Sequence, residues 1–222
     1  MTGLKERLRR RWLPRLVVAL ARRQRARPLS ADAAIELYFA CDDPGAVIAL
    51  PALLALAHAH GVPLQLYPLI ARGVPDDPAA EARARHAVRD ADRLARRDGR
   101  RLSRSQPLAA ADTAFLARWI ESLRGQPVMG AFAAAALERL WLLDGDTLPA
   151  PDAYAALYRR LTGSAPPIAE AGADAALAAN HRRLRRLGHW ESPAARIGGE
   201  WFFAHERLAQ IAECLDRRKA RA

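Results

Sequence analysis

The feature that most constrains the fold is a pair of strand-like segments that flank one helix between residues 35 and 70. Residues 35–39 alternate and end in apolar side chains, and residues 64–70 have the same character. Between them, the apolar residues of 46–60 recur at helical spacing, and Gly61 ends that helix. A strand, a helix and a strand this close in sequence predict a βαβ unit with parallel strands and a right-handed crossover.

The remainder of the chain is predicted to be helical until shortly before the last residues. Helical patterns, separated by Gly or Pro, cover residues 78–99, 112–123, 129–143, 152–161 and 173–187. Residues 194–197 and 200–203 then indicate two strands joined by Gly198-Gly199, and a last helix is predicted from about 205 to 217. Without the helical block the order is βαβ–ββα. The predicted fold class is therefore an α/β thioredoxin-like fold with a large all-helical insertion and an extra basic N-terminal helix.

The positive charge is concentrated at the N-terminus. The chain has a net charge of +11, and residues 1–30 contain ten basic residues and one acidic residue. Leucines and one tryptophan recur every four residues from Leu4 to Leu20, which predicts an amphipathic helix over 4–26. Such a helix either lies on an anionic membrane surface or an acidic partner, or packs its leucines on the rest of the protein. The predicted division is a basic arm (1–30), a thioredoxin-like domain (34–75 and 188–218) and a helical insertion (76–187).

Cysteine content and the length of the apolar runs exclude several classes of protein. Cys41 and Cys214 are the two cysteines, and without a Cys-x-x-Cys the sequence has neither a dithiol redox motif nor a zinc knuckle. Both are predicted to be buried free thiols, with a long-range disulfide as the alternative.

No apolar run has the length of a membrane span or of a signal-peptide core, so we expect a cytoplasmic protein, peripheral to the inner membrane if the arm binds lipid. Almost all of the basic residues are arginines in an alanine-rich chain, so specific nucleic-acid binding is not predicted.

Three stretches carry a resemblance to a known family. Residues 35–39 with Asp43-Pro44 look like a first strand and its Ser-Pro or Cys-Pro active-site step. Residues 140–152 look like a junction between two helices of an insertion, and residues 188–208 look like a proline turn, a hairpin and a helix start. In this order they resemble the 2-hydroxychromene-2-carboxylate isomerases and kappa-class glutathione transferases of the DsbA-like thioredoxin superfamily, over roughly residues 34–215. The resemblance implies glutathione as a cofactor, and a homodimer.

The resemblance also implies where glutathione binds. Ser192-Pro193 is similar to a cis-proline turn that presents its backbone to an extended ligand. His205, Glu206 and Arg207 fall where the family binds the γ-glutamyl end, although Glu206 also suits a helix N-terminus by its charge alone. No metal site is predicted, because His58 and His60 lie on different faces of a helix. The predicted cofactor-binding residues are Pro44, Ser192, Pro193, His205, Glu206 and Arg207.

Asp43 is the predicted catalytic residue, and it departs from the family pattern. In the isomerases a serine hydroxyl at a helix N-terminus activates the glutathione thiol, and Asp43 occupies that position. An ionised Asp43 repels a thiolate about 4 Å away by roughly 1 kcal/mol in water and about 4 kcal/mol at an effective dielectric of 20. Either burial beside Asp42 keeps Asp43 protonated, or Asp43 is a general base for a different substrate. The structural alternative is that Asp43-Pro44 only caps and starts a helix.

Two classes of function remain open from the sequence. The first is a glutathione-dependent isomerase or transferase with an altered active site, acting on a small thiol or aromatic substrate. The second is a non-catalytic thioredoxin-fold binding module that uses its basic arm on an acidic protein or a membrane surface. Cys41 lies two residues before Asp43, and it is either an inert buried thiol or a reactive one.

Overall fold

The computed structural model describes residues 34–74, 76–167 and 171–220, so the predicted arm over residues 1–30 and its helix lie outside the described residues. The elements are β1 (Ile35–Ala40), α1 (Ala46–His60), β2 (Leu64–Leu69), α2 (Ala80–Arg97), α3 (Ala110–Ser122), α4 (Met129–Glu138), a π-helical segment (Arg139–Leu143), α5 (Pro151–Thr162), α6 (Ala171–Arg186), β3 (Ala194–Ile197), β4 (Glu200–Phe203) and α7 (Leu208–Lys219). None of the described helices is both long enough and apolar enough to span a bilayer.

The four strands form one mixed sheet in the order β2-β1-β3-β4. β1 and β2 are parallel, with Ile35 opposite Leu64, while β3 runs antiparallel to both β1 and β4. Gly198 and Gly199 make the two-residue turn between β3 and β4 with φ values of 55° and 95°, a region that favours glycine. The predicted βαβ unit, the hairpin and the βαβ–ββα order are confirmed.

Side chains of β1 alternate between two cores because the strand is covered on both faces. Leu37 and Phe39 belong to the larger core, together with α1 and helices α2–α5. Tyr38 faces the other way and packs with Leu184 of α6. The insertion is therefore built onto the same core as the sheet, and it encloses the end of β1.

Most helix boundaries differ from the sequence prediction by one or two residues, and two differ by more. The helix predicted over 129–143 changes to π-helical geometry after Glu138. The helix predicted from residue 205 begins at Leu208, because residues 204–206 form a turn in which the Glu206 N–H donates to the Phe203 carbonyl at 3.1 Å. His205 and Glu206 therefore belong to this turn and not to α7, and they lie beside the loop after β1.

Candidate functional site

The loop after β1 buries two adjacent carboxyl groups. Asp42 is 5% exposed and Asp43 is 2% exposed. Oδ1 of Asp43 accepts the backbone N–H of Gly45 at 2.9 Å, just before α1 begins at Ala46. This contact lies within the turn before α1. The N-cap residue of α1 is Gly45 and has no side-chain cap hydrogen bond, and Pro44 also lies in the turn, so the interpretation in which Asp43-Pro44 caps and starts the helix is not confirmed.

Three buried polar atoms at this loop have no hydrogen-bond partner among the described residues. They are Oδ2 of Asp43, Nη1 of Arg72 and Nδ1 of His205. Their residues line one cavity of about 460 Å³. The Arg72 Nε atom lies 4.0 Å from Asp43 Oδ2, which is too far for a hydrogen bond. Because buried polar groups are normally hydrogen-bonded, atoms without partners around one cavity point to a polar ligand there.

Burial dominates the protonation of both carboxyl groups. Burial raises the pKa of Asp43, although Arg72, His205, the Gly45 N–H and the Ser192 hydroxyl act in the opposite direction. Burial and the neighbouring Asp43 raise the pKa of Asp42 to about 7, even though both of its oxygens accept the Arg72 N–H. These directions agree with the interpretation in which burial keeps Asp43 protonated.

The Ser192-Pro193 bond is cis, in agreement with the predicted cis-proline turn. The Ser192 hydroxyl accepts the Ala40 N–H at 2.9 Å and so attaches this turn to the end of β1. A Cβ placed on Gly45 would lie 3.0 Å from Cδ of Pro193 and 3.0 Å from Cγ of His205. Glycine therefore allows the start of α1, the cis-proline turn and His205 to meet.

The structure brings together four of the seven predicted site residues as lining of the cavity: Asp43, Ser192, His205 and Glu206. Pro193 lies next to them beside Gly45, and Pro44 is buried in the turn. Arg207 lies elsewhere, because it lines a separate cavity of about 450 Å³ with Trp201 and Gln210.

Sequence reasoning missed Arg72 and Asp90 as lining residues of the same cavity. Arg72 follows β2, which is parallel to β1, so the carboxyl ends of both strands lie at the same edge of the sheet. The sequence could therefore have predicted that Arg72 lies near Asp43. Asp90 belongs to α2 of the insertion, and no local pattern shows which face of that helix lines the cavity.

Trp141 of the π-helical segment positions the loop from the insertion side. Its side chain is fully buried, and Nε1 donates to the Cys41 carbonyl at 3.1 Å. The Cys41 side chain is buried as well, which raises the pKa of its thiol and agrees with the inert-thiol interpretation. Cys41 and Cys214 are both free and buried, as predicted.

The comparisons with known proteins are structural. No protein-family model matches this chain, and no curated protein does. A solved 2-hydroxychromene-2-carboxylate isomerase matches with a TM-score of 0.58 and 17% identity, over 82% of this chain and 94% of that one. A probable DsbA oxidoreductase from Streptomyces coelicolor matches with a TM-score of 0.58 and 13% identity, over 86% and 91%. A Nitrosomonas europaea protein described as a protein disulfide isomerase has a TM-score of 0.51 and 15% identity, over 83% and 98%.

The chain has a DsbA-like thioredoxin fold. The predicted fold class is confirmed by these matches, which cover most of each chain. At identities this low the likeness establishes the fold, and the activity has to be argued from the site itself. Within this DsbA-like fold, Asp43 lies in the turn just before α1, and the sequence contains no Cys-x-x-Cys.

Proposed function

We propose that this chain is a glutathione-binding enzyme of the isomerase or transferase type, in which Asp43 donates the hydrogen bond that stabilises the ligand sulfur. The observation that carries the proposal is the group of unpartnered buried atoms of Asp43, Arg72 and His205 at one cavity beside cis-Pro193. Such atoms offer a ligand both donors and an acceptor.

Asp43 is suited to donate from Oδ2. Its Oδ1 already accepts the Gly45 N–H, so the proton of a neutral Asp43 carboxyl belongs on Oδ2. A neutral carboxyl group donates to sulfur without the repulsion that a carboxylate exerts on a thiolate. The guanidinium of Arg72 adds positive charge nearby, which also favours a thiolate.

The backbone of Ser192 supports an extended peptide ligand. Within the described residues, no hydrogen bond uses the Ser192 amide N–H or carbonyl. These groups are therefore available to pair with a peptide in the manner of an added strand. The Nη1 atom of Arg72 lacks a partner and matches a carboxylate, of which glutathione has two.

A neighbouring cavity of about 580 Å³ offers room for a second substrate. It shares Arg72 and Glu191 with the first cavity, and its lining includes Leu108 and the half-exposed Trp190. The apolar part of its lining favours a small aromatic or apolar molecule, and the five acidic residues against two arginines do not favour an anion. A molecule bound there would lie next to the proposed sulfur position, because the two cavities share Arg72 and Glu191.

Calorimetric titration of reduced glutathione into the full chain tests the proposal. We expect saturable binding at micromolar to low-millimolar affinity, and we expect Gly45→Ala to weaken it because the new Cβ pushes against Pro193 and His205. Gly172→Ala is the matched control, since nothing lies within 4 Å of a Cβ there. No detectable heat at several temperatures, from a folded sample, would exclude the glutathione site.

Substitutions of Asp43 test its proposed role. Asp43→Ser and Asp43→Asn both retain a donor, so glutathione binding should persist, whereas Asp43→Ala should weaken it about tenfold through loss of one buried hydrogen bond. S-methylglutathione, which cannot form a thiolate, should distinguish these variants less well than glutathione does. Equal glutathione affinity in these three variants and the unmodified chain would show that Asp43 only stabilises the turn before α1.

A further inference from the structure

Two carboxylates and an imidazole meet inside the Asp43 cavity from separate parts of the fold. Asp90 comes from α2, while His205 and Glu206 come from the turn before α7. One ligand-type atom from each of the three side chains lies within 4.8 Å of the other two, and His205 Nε2 is 3.8 Å from Glu206 Oε1. All three residues line the cavity.

Among the described residues, neither carboxylate of this cluster, Asp90 or Glu206, forms a salt bridge with an arginine or a lysine, although Arg72 and Arg83 also line the cavity. The other acidic groups at the cavity do have such a neighbour, since Glu191 pairs with Arg83 at 3.4 Å and Asp43 lies 4.0 Å from Arg72. Two carboxylates held close together favour a cation between them.

A second observation points to a ligand in the same cavity. Asp43 is 2% exposed, and its Oδ2 atom has no partner although the residue lines the same cavity. Nδ1 of His205 is buried without a partner too, so neither nitrogen of this imidazole is engaged in a short hydrogen bond. His86, one helical turn before Asp90, also lines the cavity and adds a further nitrogen at its edge.

We propose that Asp90, His205 and Glu206 bind a divalent transition-metal ion such as Zn²⁺, with a coordination position left open to the cavity. One imidazole nitrogen with two carboxylate oxygens suits Zn²⁺ and its neighbours in the first transition series, whereas Mg²⁺ prefers oxygen ligands alone. Bonds of about 2.0–2.2 Å place tetrahedral ligands roughly 3.3 Å apart. The observed separation of 3.8 Å between His205 and Glu206 therefore needs only a small side-chain adjustment. This inference goes beyond the proposed function, because it does not require glutathione.

The test is a titration of the full chain, freed of metal with a chelator, with Co²⁺ and separately with Zn²⁺. We expect one Co²⁺ per chain with the intense visible absorption of a tetrahedral site, displaced by Zn²⁺. Asp90→Asn and Glu206→Gln should each weaken binding about tenfold or more. Glu213→Gln, which removes an exposed carboxylate of α7, is the matched control and should bind as the unmodified chain does.

The outcomes separate this inference from the proposed function. Absence of Co²⁺ absorption and of heat with Zn²⁺ overturns the metal site, as does equal metal affinity in all the variants. Glutathione titrated into the same metal-free protein then reports on the proposed function alone. Asp90 and Glu206 are not buried, so both variants should fold, and circular dichroism verifies it.

Discussion

At the scale of single residues, the carboxyl groups of Asp42 and Asp43 are both buried, but they have different hydrogen-bond partners. Both oxygens of Asp42 accept the Arg72 N–H, at 3.2 and 3.3 Å, whereas Asp43 uses one oxygen on Gly45 and leaves the other without a partner. Asp42 therefore has a structural role, and its protonation should be visible in the stability of the fold.

Asp42→Asn should change how stability depends on pH. Because burial raises the pKa of Asp42 from 3.8 to about 7, the folded state binds this proton more tightly than the unfolded chain does. The free energy of unfolding contributed by Asp42 therefore falls as the pH rises from about 4 to about 7. Asn cannot ionise, so the variant should gain about 2–4 kcal/mol relative to the unmodified chain between about pH 5 and about pH 8.

Urea unfolding at the two pH values measures this difference. Asp98→Asn, at the exposed end of α2, is the control and should show no comparable change. If the difference between Asp42→Asn and the unmodified chain stays constant with pH, the pKa of Asp42 is not raised in the folded protein.

At the scale of elements, the π-helical segment connects the insertion to the candidate site. It carries Trp141, which spans from the insertion to the Cys41 carbonyl at the end of β1. Arg104, also buried, donates to the Leu140 carbonyl and lies over the Trp141 ring, with the guanidinium carbon 6.0 Å from the ring centroid. Distortion of a helix at such a place is common near functional sites.

Trp141→Phe should destabilise the fold by about 2–4 kcal/mol, because it leaves the buried Cys41 carbonyl without its donor and opens a small cavity. Since the loop of Asp42 and Asp43 follows directly, ligand affinity at the site should fall as well. Chemical unfolding and ligand titration measure the two effects. Trp190→Phe is the control, because Trp190 is 53% exposed, and its effect on stability should stay within about 0.5 kcal/mol. A Trp141→Phe protein as stable as the control would contradict this account.

At the scale of the whole molecule, α6 covers the carboxyl end of one edge strand of the sheet, β2. β2 is an edge strand, and Asn180 of α6 donates to the Pro68 carbonyl at 2.8 Å and to Oε2 of Glu121 at 3.0 Å. His181 accepts the Ile70 N–H at 3.2 Å. Side chains of the insertion thus satisfy backbone groups that an exposed edge would offer to another chain.

The predicted basic arm can be tested in the full chain. If the arm binds anionic lipid through its positive charge, the protein should bind vesicles that contain anionic lipid at low ionic strength and dissociate at high salt. It should not bind neutral vesicles. Replacing the three arginines at residues 9–11 with alanine should weaken binding by about 1 kcal/mol per charge, as measured by co-sedimentation. The matched control replaces three exposed arginines of α6: Arg182, Arg185 and Arg186. No co-sedimentation of the full chain would favour an arm that packs on the protein.

Local patterns in the sequence determined much of this molecule. Alternation and helical spacing predicted β1, α1 and β2, and paired glycines predicted the turn between β3 and β4, because these features depend on neighbouring residues. The candidate role of Asp43 and the cis-proline turn at Ser192-Pro193 came instead from the resemblance to the isomerase family. Boundaries that depend on packing were less accurate, as the start of α7 shows.

Only the tertiary structure decided which side chains share the cavity. Arg72 and Asp90 enter it because β2 lies beside β1 and because α2 turns the face that carries His86 and Asp90 toward the cavity, neither of which a local period specifies. Arg207 does not line this cavity, because it follows the turn that contains His205 and lies at the start of α7, where it lines a different cavity. Periodicity fixes which side of an element is apolar, but the rotation and placement of one element against another follow from how all the buried side chains pack together.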